Sequence, residues 1–392
     1  MSEIFDTIID RKNTGCEKWD HCDKLFGGDN LLPLWVADMD FRTPQAVIDA
    51  ISHRAAHGIF GYSTYLDSTY EAVINWFSRR HGWDIEKEWI LYSPGVVPAL
   101  NLFVQTFTDP CDGIIIQRPV YHPFMKVIEN NGRRVLNNPL RLNKAGAYEI
   151  DFDNLKKQAE NPSASMMILC SPHNPVGRVW REDELKEIIK ICSDNNILLI
   201  SDDIHCDLTF NGFKHIPLHN IAGDFRENII TCTAPSKTFN LAGVQVSNIV
   251  IPDEAKRRRF RKSLQSAGIL EPNSFAPAAL EAAYNHGEEW LDGMLSYVQG
   301  NYEILKTFVT DELTCAKIYE LQGTYLAWVD FRKYKIKPQP LDDLFVNKAG
   351  VAPSPGHVFG PEGAGFMRFN LACPRSVLQE GLEKIGAAFK GL

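Results

Sequence analysis

The sequence predicts an α/β protein, with a mostly parallel central sheet covered by helices on both faces and a smaller α+β domain after it. Three observations carry this reading. Short uninterrupted apolar runs recur at Ile90-Leu91-Tyr92, Ile114-Ile115-Ile116, Met166 to Leu169, Ile197 to Ile200 and Ile229-Ile230, and runs without polar alternation fit strands buried on both faces. Helical patterns separate them, which is the rhythm of parallel strands joined by crossovers. After about Glu288 that rhythm fades, and a long helical stretch from Trp290 to Asp311 leads to two further strand-like runs, Tyr325 to Val329 and Phe366 to Phe369.

In chain order, Leu31 to Val36 is apolar and runs into Ala37-Asp38-Met39-Asp40-Phe41, after which Pro44 favours a helix start. Gly58-Ile59-Phe60-Gly61-Tyr62-Ser63 is a glycine-bracketed aromatic loop. The first central run ends in Ser93-Pro94-Gly95-Val96-Val97-Pro98, and Leu100, Phe103, Val104 and Phe107 then recur at helical spacing. The next runs end in Arg118-Pro119-Val120-Tyr121, in Cys170-Ser171-Pro172-His173-Asn174-Pro175-Val176-Gly177 and in Ser201-Asp202-Asp203-Ile204-His205. The last leads into Thr231-Cys232-Thr233-Ala234-Pro235-Ser236-Lys237-Thr238. Tyr121, Asn174, Asp202 and Lys237 thus each fall at the carboxyl end of a strand, where sheets of this kind collect their functional groups. The pattern change divides the chain into an N-terminal segment (1–40) packing with the small domain, a large domain (41–288) and a small C-terminal domain (289–392).

The chain has 392 residues, 44% hydrophobic and 23% charged, with a net charge of −8. That balance gives no general electrostatic reason to bind nucleic acid or an anionic membrane. The one basic run, Lys256 to Lys262, follows Pro252-Asp253-Glu254 and reads as the solvated face of a helix. Nine cysteines without a C-x-x-C pair fit reduced core thiols and a cytoplasmic location. No signal peptide, membrane span or metal-ligand spacing is expected.

Lysine among small and hydroxyl residues at a buried strand end loses its proton through desolvation, and a neutral amine condenses with an aldehyde. Lys237 is such a lysine, with a surface lysine in a Ser/Pro loop as the competing reading. Pyridoxal phosphate is the aldehyde that the other strand ends suit. Asp202 can face a pyridinium nitrogen, or cap a following helix, a task that Asp203 could take instead. Asn174 can donate to the ring oxygen, and Tyr121 offers a stacking face or is simply a core aromatic. Gly95, Val96 and Val97 present free N–H groups at a helix start, a ready anion site.

The same residues, in this order, resemble the fold type I pyridoxal phosphate enzymes of the aminotransferase class I/II superfamily. Within it the chain is similar to the cystathionine β-lyase (C–S lyase) branch of the MalY/PatB type, from Trp35 to Phe41 and Gly58 to Tyr62 through to Phe366-Met367-Arg368-Phe369-Asn370. The resemblance implies that Lys237 carries the cofactor, with Asp202 on the ring nitrogen, Asn174 on the ring oxygen and Tyr121 stacking. Ser236 and the 95–97 backbone would hold the phosphate, together with Tyr62 reaching across from the other subunit of a homodimer. It further implies that Arg368 grips the substrate carboxylate, with Asn174 and Ala37 beside it, where the residues alone also allow Arg368 a plain salt bridge. Many aminotransferases have Ser or Gly three positions before the lysine and Arg eight after it; here these are Ala234 and Gln245, which agrees with the lyase branch. His205 stands where many relatives have tyrosine and is expected near the cofactor. The implied activity is α,β-elimination on L-cystathionine or related S-substituted L-cysteines, with an aminotransferase and a regulatory protein of the same fold as alternatives.

Overall fold

The computed structural model describes residues 2–144 and 146–391. Seven strands form the large sheet, in the spatial order Ile90–Ser93, Ser247–Val250, Ile229–Thr233, Leu198–Asp202, Ala164–Cys170, Gly113–Ile116 and Arg134–Asn137. The last five are mutually parallel. Ser247–Val250 runs antiparallel to both of its neighbours, a reversal that the sequence reading did not contain. The chain between Thr233 and Ser247 holds only the short helix Pro235–Thr238 and one 3₁₀ turn, so it returns alongside the strand it left, which an antiparallel pair permits and a parallel one does not.

Alternate residues of each central strand pack on opposite faces. Ile114, Ile116, Ile168, Ile200 and Ile230 bury against Phe103, Phe124 and Phe260, while Ile115, Met167, Leu169, Leu199 and Ile229 bury with Leu185 and Ile188 of helix Glu182–Asp194. Each such side chain contributes about 1.5–3 kcal/mol on burial. The continuous apolar runs therefore follow from two covered faces. Strands continue past those runs into polar residues, because backbone ladder bonds do not depend on the side chains. Asp202 stands level with Cys170 on one side and Cys232 on the other, which brings the loops of Asn174 and Lys237 to its flanks.

A five-stranded sheet lies beside the first, in the order Leu32–Leu34, Val351–Pro355, Phe366–Asn370, Leu326–Asp330 and Lys317–Ile318. Leu32–Leu34 pairs in parallel with Val351–Pro353 at the sheet edge, where Pro33 costs no ladder bond that a central strand would need. Helix Glu288–Asp311 connects the two sheets' elements and buries Trp290, Leu291, Met294, Tyr297 and Val298. The basic run lies on helix Glu254–Ser266, capped by Asp253, with only Phe260 and Leu264 of it buried. Among the described residues no helix is long and apolar enough to cross a membrane.

Candidate active site

The strand ends open into a cavity of about 1060 Å³ whose wall includes Lys237, Asp202, Asn174, Tyr121 and Arg368. Lys237 lies on the short helix Pro235–Thr238, and its Nζ donates to the carbonyl of Ala37 at 2.5 Å. Burial pulls its pKa down to about 8, against the upward pull of Asp38, and Arg368 adds to the fall. A sizeable fraction of this amine is therefore neutral near pH 8, as a nucleophile and a proton acceptor require. The Ala37 carbonyl also accepts from the buried Tyr325 hydroxyl at 2.9 Å, so one backbone oxygen fixes both groups.

Asp202 is buried, and its Oδ1 accepts from the Ile204 N–H at 3.2 Å. No helix follows it: residues 204–207 form a turn. The helix-cap reading of Asp202 thus fails, and so does the capping role considered for Asp203, whose carboxylate instead takes Ser201 Oγ at 2.5 Å and His215 Nε2 at 2.9 Å. Burial raises the Asp202 pKa to about 7, with Asp203 adding to the rise. A cationic group facing it would restore full ionisation.

Arg368, on strand Phe366–Asn370, is buried and donates to Asn174 Oδ1 at 2.9 Å, to the Trp35 carbonyl at 2.7 Å and to Ser354 Oγ at 3.1 Å. Its Cζ lies 4.6 Å over the Phe359 ring, and its Nε is buried with no partner. Burial lowers its pKa to about 10, and among the described residues no carboxylate lies within 4.0 Å of it. A buried guanidinium held by neutral acceptors is prepared for an anion from outside the protein. Because Asn174 spends its oxygen on Arg368, its amide N–H groups remain for another acceptor.

Gly95 precedes helix Val96–Phe107, whose first N–H groups have no intrahelical acceptor and open on the cavity with Ser236. A Cβ at Gly95 would approach Pro98 Cδ to 3.3 Å, so the close turn suits glycine. His205 is buried, its Nδ1 has no partner, and burial pushes its pKa well below the ordinary range. Ala234 is buried, while Gln245 is exposed and stands outside the cavity wall. Tyr62 is fully exposed and does not line the cavity. The structure thus gathers every residue expected at the site except Tyr62. Tyr325, Phe359 and His122 are additional wall or support groups that sequence reasoning did not single out, since each reads as an ordinary strand or loop aromatic.

Behind Lys237, Asp207 accepts from Thr238 Oγ1 at 2.7 Å and Trp76 Nε1 at 3.2 Å, and pairs with His81 Nε2 at 2.8 Å. His81, Cys206 and Asp207 place ligand atoms within 4.8 Å of one another, but both oxygens of Asp207 are already engaged, Oδ2 with Thr238 of the lysine helix and Oδ1 with Trp76 and His81. Asp207→Ala orphans buried donors, and a loss of about 3 kcal/mol is expected, read as a lower denaturant midpoint.

An amine, a buried carboxylate, an amide donor, a flat aromatic and a helix N-terminus around one cavity fit the aldehyde, ring nitrogen, ring oxygen, ring face and phosphate of pyridoxal phosphate. With the parallel sheet, this arrangement defines the fold type I class of pyridoxal phosphate enzymes. The chain belongs to the aminotransferase class I and II family, whose pattern matches residues 29–385. It is 45% identical to cystathionine beta-lyase PatB of Bacillus subtilis (strain 168), over 98% of this chain and 99% of that protein. It is 34% identical to protein MalY of Escherichia coli (strain K12), over 96% of both. Among solved structures, cystalysin from Treponema denticola, which contains a pyridoxal 5'-phosphate cofactor, superposes with a TM-score of 0.96 at 38% identity over 98% of both chains. The PLP-bound C–S lyase from Staphylococcus hominis does so with a TM-score of 0.91 at 36% identity over 98% of both.

Proposed function

We propose that the protein is a pyridoxal phosphate-dependent C–S lyase that eliminates a thiol from L-cystathionine or related S-substituted L-cysteines, giving pyruvate and ammonia. The observation that carries this reading is the full-length likeness to cystathionine beta-lyase PatB, joined to a site whose lysine, carboxylate and guanidinium are all in place.

When bound, pyridoxal phosphate supplies an electron sink for the pair left at the substrate's α-carbon. The chain's own residues do the rest. Asp202 ends one strand and Lys237 lies on the short helix that follows the adjacent one, so the lysine would hold the aldehyde and the carboxylate the ring nitrogen. Asn174 would donate to the ring oxygen, Tyr121 would offer its face to the ring, and Ser236 with the 95–97 N–H groups would hold the phosphate. His205 fills the wall near Tyr325, at 6.2 Å between ring centroids. Arg368 takes the α-carboxylate on its open Nε edge, with Ala37 in the wall beside it. The amine of Lys237, neutral in part because it is desolvated, accepts the α-proton.

Several organisational features belong to the same proposal. The N-terminal segment (1–40) sits with the small domain (289–392), supported by the pairing of Leu32–Leu34 with Val351–Pro353, and the large domain (41–288) supplies the lysine. The protein is a homodimer in which Tyr62 reaches the other subunit's phosphate, supported by the exposure of Tyr62 together with Ile59 and Phe60. It works in the cytoplasm, supported by nine free cysteines.

The test is pyruvate release from L-cystathionine by purified protein with added pyridoxal phosphate and no keto acid acceptor. Multiple-turnover pyruvate with an equal amount of homocysteine is expected. Activity that appears only when a keto acid is supplied would replace this reading with transamination.

A further inference from the structure

The residues assigned so far account for the amino acid end of a substrate, but the cavity wall continues past them to His122, at the entry of helix Pro123–Glu129. Its ring centroid lies 5.5 Å from that of Tyr121, edge-on, and 6.4 Å from that of Phe359, the ring beneath Arg368. His122 therefore stands beside both the stacking aromatic and the carboxylate grip. A substrate held by Arg368 and reaching Lys237 must send its β-substituent into the remaining wall. The rest of that wall includes the apolar Met125, Val346, Val358 and Leu25 together with the charged Lys126, Glu129, Asp342 and Asp343.

The Nδ1 of His122 is buried and has no hydrogen-bond partner. A proton placed there would be an unsatisfied buried donor, so the neutral ring carries its proton on Nε2. Burial, with Lys126 and Arg368 adding to it, pulls the pKa down to about 4, which keeps the ring neutral. With Nδ1 buried, the Nε2–H is the donor left for a ligand in the cavity that His122 lines.

We infer that the Nε2–H of His122 donates a hydrogen bond to the substrate sulfur as the C–S bond breaks, an inference that rests on the lyase reading. The electron pair of that bond goes to sulfur, the imidazole keeps its proton, and the α-proton taken up by Lys237 balances the thiolate's charge. A neutral imidazole stabilises developing negative charge without having to be protonated first.

The experiment compares L-cystathionine with β-chloro-L-alanine, whose chloride is a weak base that leaves without a donor, in the wild type, His122→Phe and His122→Gln. In His122→Phe, kcat/KM for L-cystathionine is expected to fall about tenfold or more beyond any fall for β-chloro-L-alanine. His122→Gln, which keeps an N–H donor, recovers most of that loss. In 15N-histidine spectra of the wild type, added homocysteine moves the ring resonances that are missing in His122→Gln. Equal losses on both substrates, or no movement of those resonances, overturn the inference alone. Pyruvate from β-chloro-L-alanine but from no thioether in the wild type overturns the lyase reading and the inference with it.

Discussion

Lys237→Ala is expected to reduce pyruvate release by at least about a thousandfold while leaving the protein folded. The loss follows because the variant has no amine to hold the cofactor aldehyde and no acceptor for the α-proton. Folding survives because of what Lys237 costs where it sits. Its pKa falls from the ordinary 10.5 to about 8, mainly through burial. Between those values the unfolded chain binds more protons than the folded one, so stability rises with pH across that window. Below about pH 8 the folded protein carries the full penalty of a buried ammonium. Alanine removes that penalty, and the Ala37 carbonyl keeps its bond from Tyr325. The melting temperature of the cofactor-free variant at pH 7 should therefore equal or exceed that of the cofactor-free wild type. Loss of the visible absorbance of the lysine-bound cofactor, alongside an unchanged far-ultraviolet spectrum, checks both halves. Wild-type turnover in Lys237→Ala would sink the assignment of the lysine.

Where physics imposes a pattern on neighbouring residues, the sequence was readable. The central strands are legible because both faces are covered, so Ile114 to Ile116 or Met166 to Leu169 leave no polar alternation. Lys237 and Asp202 are legible because charged groups at the ends of such strands need a reason to be there. Ser247–Val250 was not legible, since its direction depends on a short connection rather than on its own side chains. Tyr325 and Phe359 are invisible for a similar reason. Tyr325 matters through a hydroxyl aimed at a backbone oxygen 288 residues away in the chain, and Phe359 through a face turned to Arg368. No local pattern encodes either contact. Asp203 misled because Asp after a strand commonly caps a helix, whereas here it answers His215 and Ser201. Tyr62 remains apart from the cavity because its loop faces outward from the single chain.

Asp202→Asn is expected to lower turnover by about a thousandfold or more and, in the cofactor-free protein, to raise stability at pH 8. The two effects have one cause. Asparagine keeps the shape of the side chain and an oxygen for the Ile204 N–H, but it has no charge to set against a ring nitrogen. In the cofactor-free wild type the carboxyl titrates at about 7 instead of the ordinary 3.8, chiefly because it is buried. The folded state then holds a proton that the unfolded chain has released, so stability falls as pH rises from about 4 to about 7 and stays low above it. At roughly 1.4 kcal/mol per unit, the penalty at pH 8 reaches a few kcal/mol. The variant escapes it. With pyridoxal phosphate bound, the ring nitrogen's positive charge offsets the carboxylate, and the order should reverse, with wild type melting above Asp202→Asn. Melting curves of both proteins at pH 5 and pH 8, with and without cofactor, test this. If the cofactor-free variant gains nothing at pH 8, Asp202 is not the desolvated carboxylate that the ring nitrogen requires.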